Sequence, residues 1–161
     1  MFDAYTYFEN IRNTLKRTKS TYKFTRSTGL PYMEEIIQKF TKEKAFFCVD
    51  DTHDGVTIQG SGGGFFDRRQ YIVFILKNYK YGNMDEQHAA LEECRAIYRS
   101  ICTKLVKDKA ALSNQMTYLQ LDRMPYYAIP GYFITGATGL YFIVTVDEPK
   151  DLRYDASEWE S

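Results

Sequence analysis

The chain has 161 residues, of which 44% are hydrophobic, and its 21 basic side chains balance 21 acidic ones. This composition excludes wholesale disorder and suits one domain with a single core. A net charge of zero argues against a protein that binds nucleic acid through bulk charge, and we expect no sequence-specific nucleic-acid partner. The longest apolar run, YIVFIL (71–76), is too short to cross a membrane, so no membrane partner is expected.

The N-terminal third predicts two helices. Apolar residues recur at helical spacing over residues 2–17, which indicates an amphipathic helix. Residues 18–29 are polar and rich in Thr and Ser, which predicts a loop or an irregular extended segment. Pro31 suits the first turn of a second helix, PYMEEIIQKFTKE, because the missing N–H of proline has no helical partner there.

The middle of the chain predicts strands. AFFCVDD (45–51) and VTIQG (56–60) are strand-like and are joined by a turn that contains Asp54-Gly55, a typical hairpin signal. After a glycine-rich stretch, residues 65–82 predict a long strand. This strand is apolar on both faces from Tyr71 to Leu76, which indicates a central strand covered on both sides.

The remainder begins with a long helix over residues 86–109, for which Asp85 is the expected N-cap. TYLQLD (117–122) predicts a strand, and residues 124–131 predict an irregular linker held by two prolines. Residues 132–148 predict either two strands with a glycine-bounded turn or one long bulged strand. The predicted fold is α+β: an antiparallel or mixed sheet, a long helix across one face and an N-terminal helix. Residues 1–149 form one domain, and residues 150–161 a polar tail.

The stretch GSGGGFFDRR (60–69) raises the question of phosphate binding. A phosphate loop needs backbone N–H groups that converge at the start of a helix, usually with a glycine or lysine at fixed spacing. This stretch matches neither phosphate-binding pattern, and a strand follows it. The glycines therefore favour a flexible or close-packed hairpin, with flanking residues that dock on a neighbouring subunit. The candidate interface residues here are Gly62, Gly63, Gly64, Phe65, Phe66, Arg68 and Arg69.

Two further features have a chemical and a structural interpretation. Asp50, Asp51, His53 and Asp54 could bind a divalent cation, but Asp is common in turns for backbone reasons. We predict no metal, no cofactor and no catalytic residue. Arg68 and Arg69 could grip phosphates or carboxylates, but adjacent strand positions point to opposite faces.

The tail contains Trp159, the only tryptophan of the chain, among acidic residues. It either packs back on the core or contacts a partner, and it completes the candidate interface. Residues 12–26 are basic, so the two ends carry opposite charge. This suits head-to-tail packing of identical subunits, although both ends could simply be solvated.

The three cysteines, Cys48, Cys94 and Cys102, form no CxxC motif and are odd in number. We expect reduced thiols in a cytosolic setting. Cys94 and Cys102 lie on the pattern of the long helix and are predicted to be small core residues.

The order of elements resembles that of the tail terminator and related neck, or head–tail joining, proteins of tailed phages. The matching pieces are FDAYTYFENIRNTL, VTIQGSGGGFFDRRQYIVFILKNYK, DEQHAALEECRAIYRSICTKLV and GYFITGATGLYFIVTVDEP. The segment 18–45 and the Trp-bearing tail depart from that pattern.

This resemblance implies a structural virion protein without catalysis or cofactor. It implies a homo-oligomeric ring, typically hexameric, that contacts neighbouring tail or neck proteins. Its location would be the virion neck or tail, and the host cytoplasm during assembly. Two alternatives stay open. One is a small cytosolic nucleotide- or phosphate-handling enzyme that uses the glycine-rich loop. The other is an intracellular adaptor or binding module.

Overall fold

The computed structural model describes residues 2–52, 54–111, 118–131 and 134–160. The helices, in chain order, are α1 (Ala4–Thr14), α2 (Leu30–Lys39) and α3 (Met84–Ala110). The strands are β1 (Lys23–Arg26), β2 (Ala45–Asp50), β3 (Gly55–Gln59), β4 (Phe65–Asn78), β5 (Tyr126–Ile129) and β6 (Ala137–Lys150). None of the helices within these ranges is long and apolar enough to cross a membrane.

All six strands belong to one mixed sheet, in the order β1-β2-β4-β6-β5, with β3 also paired to β4. The β1 and β2 strands are parallel, and every other pair is antiparallel. The α+β prediction, with an N-terminal helix and a long helix on the sheet, is confirmed.

The strands alternate between two apolar faces. One face packs against α1 and α3 and includes Phe47, Val73 and Phe142. The other face packs against α2 and includes Phe46 and Phe74. The prediction that the 71–76 region of β4 is covered on both sides is therefore confirmed, because helices lie on both faces of the sheet there.

The long helix begins earlier than predicted. Asn83, not Asp85, is its N-cap, because the Asn83 side chain accepts a 3.0 Å hydrogen bond from the backbone N–H of Glu86. Asp85 and Glu86 lie instead in the first turn, where negative charge favours the positive end of the helix dipole.

Three segments differ from the sequence-based expectation. Residues 23–26, predicted to be in a loop or an irregular extended segment, form the regular edge strand β1 beside β2. Residues 126–129, predicted to be in a linker, form the edge strand β5. The predicted strand 117–122 begins outside the described residues, and its described part forms only an isolated bridge between Leu119 and Val146.

The open question on residues 132–148 is resolved in favour of one long strand from residue 137 onward. All fourteen residues of β6 pair with β4 in a continuous register, so no bulge interrupts this ladder. Gly139 makes this possible, because a Cβ there would lie 1.9 Å from the carbonyl oxygen of Ile75. The strand reaches Lys150, one residue into the segment predicted to be the tail.

Candidate assembly surface

The sheet extends past its helices as a three-stranded projection. It consists of β3, residues 65–69 of β4 and residues 146–150 of β6, and is called the β-arm below. Every residue of β3 is exposed or half-buried, in contrast to β2, which is fully buried. The β-arm is therefore most open to solvent along β3, whereas Val146 and Asp147 of β6 are buried.

A tight glycine turn closes the hairpin of the β-arm. The N–H of Gly60 donates to the carbonyl of Gly64 at 2.8 Å, and Gly63 adopts a φ of 85°, which glycine tolerates best. A Cβ at Gly62, Gly63 or Gly64 would meet no atom within 4 Å. The turn leads into β4 and not into a helix, so its N–H groups lack the geometry of a phosphate loop. The hairpin predicted at this glycine stretch is confirmed, because β3 pairs with β4. The hairpin signal at Asp54-Gly55 is wrong, because β2 and β3 both pair with β4 and not with each other.

Arg68 and Arg69 form ion pairs on opposite faces of the β-arm. Arg68 donates twice to Asp147, at 2.7 and 2.8 Å, and these bonds raise the pKa of its guanidinium. Arg69 lies on the other face, 3.3 Å from Glu148 and 3.5 Å from Asp67. The two arginines therefore do not form one clamp, as predicted for adjacent strand positions.

Asp67 extends this network across the strands. Its carboxylate accepts from Lys150 and Thr57, both at 2.9 Å, and these bonds lower its pKa. Ionic cross-strand pairs thus hold the β-arm in shape where the helices do not cover it.

Apolar side chains lie among these ion pairs. Val56 is 55% exposed and Phe65 is 37% exposed, while the half-buried Phe66 ring lies 5.5 Å from the ring of Tyr118. Sequence reasoning selected Phe65 and Phe66 but missed Val56 and Tyr118. The alternation of VTIQG could have indicated an outward Val56, whereas the Tyr118 contact depends on tertiary packing.

A shallow groove of about 450 Å³ continues from the β-arm along the face of the sheet that carries Arg68. Its lining is mostly polar and comes from β4, β6, β5 and the segment before β5. Sequence reasoning singled out Arg68 alone among its residues. The lining includes Arg68, Gln70, Gln120, Tyr127, Ile143 and Thr145.

Trp159 does not pack on the core. It is 65% exposed and stacks on Tyr154, with ring centroids 6.1 Å apart. Asp155 caps the short 3-10 helix Ala156–Glu158 between them by accepting from the N–H of Ser157. Of the two interpretations of Trp159, packing on the core is therefore wrong, and the ring is available to a partner.

The acidic residues near the β2–β3 turn have local roles. Asp50 accepts from the N–H and hydroxyl of Thr52, and Asp51 forms a 3.0 Å ion pair with Arg26. His53 lies outside the described residues. Among the residues that the structure does describe, no group of three or more His, Cys, Asp or Glu side chains could hold a metal ion.

The fold and the exposed surfaces thus define an α+β protein with a projecting β-arm and an exposed aromatic tail. No protein-family model and no curated protein sequence matches the chain. We therefore infer its function from the physical properties of these surfaces.

Proposed function

We propose that this chain is a structural subunit of a tailed-phage particle. In this proposal it assembles into a ring, typically of six copies, at the neck or the tail end, and carries no catalytic site. The observation that carries the proposal is the β-arm, which exposes Val56 and Phe65 and ends in a turn where a Cβ at Gly62, Gly63 or Gly64 would meet no atom within 4 Å. The order of elements, which resembles that of tail terminator and neck proteins, supports the same assignment.

A ring needs two different surfaces that fit each other on successive copies. The β-arm supplies one such surface. It has apolar side chains, and within the described residues β3 pairs only with β4, so its outer edge is open to another chain. The polar groove and the tail supply candidates for the second surface. A net charge of zero limits the repulsion between close-packed copies.

The geometry gives less support to phosphate chemistry. The glycine turn is not followed by a helix, and Arg68 already holds a bidentate ion pair with Asp147. An anion at Arg68 would therefore have to displace a carboxylate that is only 10% exposed.

A matched pair of substitutions tests the role of the β-arm. Val56 is 55% exposed on β3, and Val106 is 52% exposed on α3, which is not one of the β-arm strands. We expect the wild-type chain to form rings by mass photometry and negative-stain electron microscopy. Val56→Asp should abolish them because it places a charge in the contact, whereas Val106→Asp should keep them.

Particle composition provides the second measurement, because ring subunits of this kind can stay monomeric until they meet the tail. Mass spectrometry of phage particles purified from the cells that encode the chain should find it in a small, fixed copy number. A chain that is monomeric at every concentration and is absent from particles would overturn the proposal. Capture of one non-phage protein would favour an adaptor instead.

A further inference from the structure

A second groove, of about 650 Å³, lies between α3 and the edge strand β5, on a different part of the surface from the β-arm. Arg95 and Arg99 line it from one face of α3, where a spacing of four places them side by side. Arg17 lines it from the segment after α1. All three arginines are exposed. We call this site the arginine groove.

The arginine groove is positively charged and partly aromatic. Glu92 is its one acidic lining residue and pairs with Arg95. Arg17 and Arg99 form no ion pair with any acid in the described part of the chain. Tyr98 and Tyr126 also line the groove, with their ring centroids 5.0 Å apart. The site thus suits a ligand with carboxylates and an aromatic ring.

Residues 154–160, the end of the described tail, have this chemistry. They read YDASEWE, with three acids, two aromatic rings and no basic residue. All are exposed, so none is used in the core. Solvent exposure of a stacked Tyr and Trp leaves an apolar surface without cover.

We propose that the arginine groove binds the tail of a second copy of this chain, with Glu158 and Glu160 on the arginines and Trp159 against the tyrosines. This inference rests on the proposed ring function and names the second contact of that ring. Because the tail of each copy would occupy the groove of the next, the contact is head-to-tail and can close a ring.

The topology favours a contact between copies over one within a copy. The tail leaves β6 after Lys150, which pairs with Phe65 at the tip of the β-arm. The arginine groove adjoins Tyr126, which pairs with Phe142, about 26 Å back along β6 at 3.3 Å per residue. The tail would have to reverse and run back along its own strand to reach its own groove.

Disulfide trapping tests this contact with the full chain. Cys102 lines the arginine groove, whereas Cys48 and Cys94 are buried. A Ser157→Cys, Cys102→Ala chain is mixed with the wild-type chain under mild oxidation. Any disulfide between Cys102 and the new cysteine must then join two copies. We expect this cross-link, mapped by peptide mass spectrometry, as a main product.

Charge reversal shows whether the groove recognises the acids. Arg95→Glu with Arg99→Glu in the Cys102 chain should lower the cross-link yield at least tenfold. Lys107→Glu, an exposed basic position on the same helix outside the groove, should leave it unchanged. Glu158→Arg with Glu160→Arg in the tail chain should restore the yield with the reversed groove.

The outcomes separate this inference from the ring proposal. Rings that form without the cross-link, or a cross-link that ignores charge reversal, would overturn the tail contact and leave the ring proposal standing. A disulfide that forms only when Cys102 and the new cysteine share one chain would show an internal contact and would also overturn it. A charge-dependent cross-link in a sample without rings would support the tail contact and count against the ring.

Discussion

The two halves of β4 share one ladder with β6 but are stabilised in different ways. From residue 71 to 76 the strand is almost entirely buried, with helices on both faces of the sheet. From residue 65 to 70 no residue of the strand is buried. The same backbone pairing thus passes from a hydrophobic core into an exposed projection.

The difference shows what is needed to keep an exposed extension of a sheet in register. In the buried half, apolar packing specifies which face each side chain occupies. In the β-arm, the cross-strand ion pairs Arg68–Asp147 and Lys150–Asp67 specify which face each side chain occupies. Ion pairs this exposed to solvent contribute little to the free energy of unfolding. They specify the shape of the β-arm and leave its apolar side chains free for other contacts.

The largest expected effect separates the two halves by stability. Phe142 is fully buried against Phe8 and Tyr98, so Phe142→Ala should lower the free energy of unfolding by about 3–5 kcal/mol. Phe65→Ala, on the β-arm, should lower it by less than about 1 kcal/mol. Urea denaturation followed by circular dichroism measures both, because the lone tryptophan lies in the exposed tail. Equal losses would contradict the division into core and projection.

Much of the buried half could be predicted from sequence. Helical spacing indicated α1 and α3, and the run around Tyr71–Leu76 indicated the central strand. The edge strands β1 and β5 were missed for physical reasons. β1 has four residues within a polar Thr-rich segment and pairs in parallel with β2 across α2. β5 has four residues between two prolines. Such strands depend on tertiary pairing more than on local propensity.

The candidate surface was predictable only in part. The glycine turn and the opposed arginines follow from local rules. The partner of Arg68, however, lies 79 residues away in the sequence, and only the register of β4 against β6 brings the pair together. The arginine groove was missed because Arg17 comes from a different element than Arg95 and Arg99.

The core can also be compared with the β-arm through the pH dependence of stability. Two buried thiols, Cys48 on β2 and Cys94 on α3, lie in the core. Burial raises the pKa of Cys94 from 9.0 to about 12 and also raises that of Cys48. The thiolates therefore form more easily in the unfolded chain. Their stabilising contribution is complete below pH 9 and falls as the pH rises through the window above it.

At pH 10 the loss should be on the order of 1 kcal/mol for each of these thiols, with the buried Tyr7 and Tyr22 adding to it. Urea denaturation in a reducing agent at pH 7 and pH 10 measures this loss. Cys94→Ala should remove one thiol's share of the pH dependence. A free energy of unfolding that is the same at both pH values would show that the thiols are not buried as described.

The smallest expected effect isolates the backbone of the β-arm turn. Gly62 and Gly63 are adjacent, and a Cβ at either would meet no atom within 4 Å. Only Gly63 has a positive φ, of 85°. Gly63→Ala should therefore cost about 1–2 kcal/mol of turn conformation, and Gly62→Ala close to nothing. Because the turn lies far from the core, this cost should increase amide hydrogen exchange in β3 without changing exchange in β2. Faster exchange in both strands would mean that the β-arm and the core unfold as one unit. That result would contradict the separate stabilisation of the β-arm and the core.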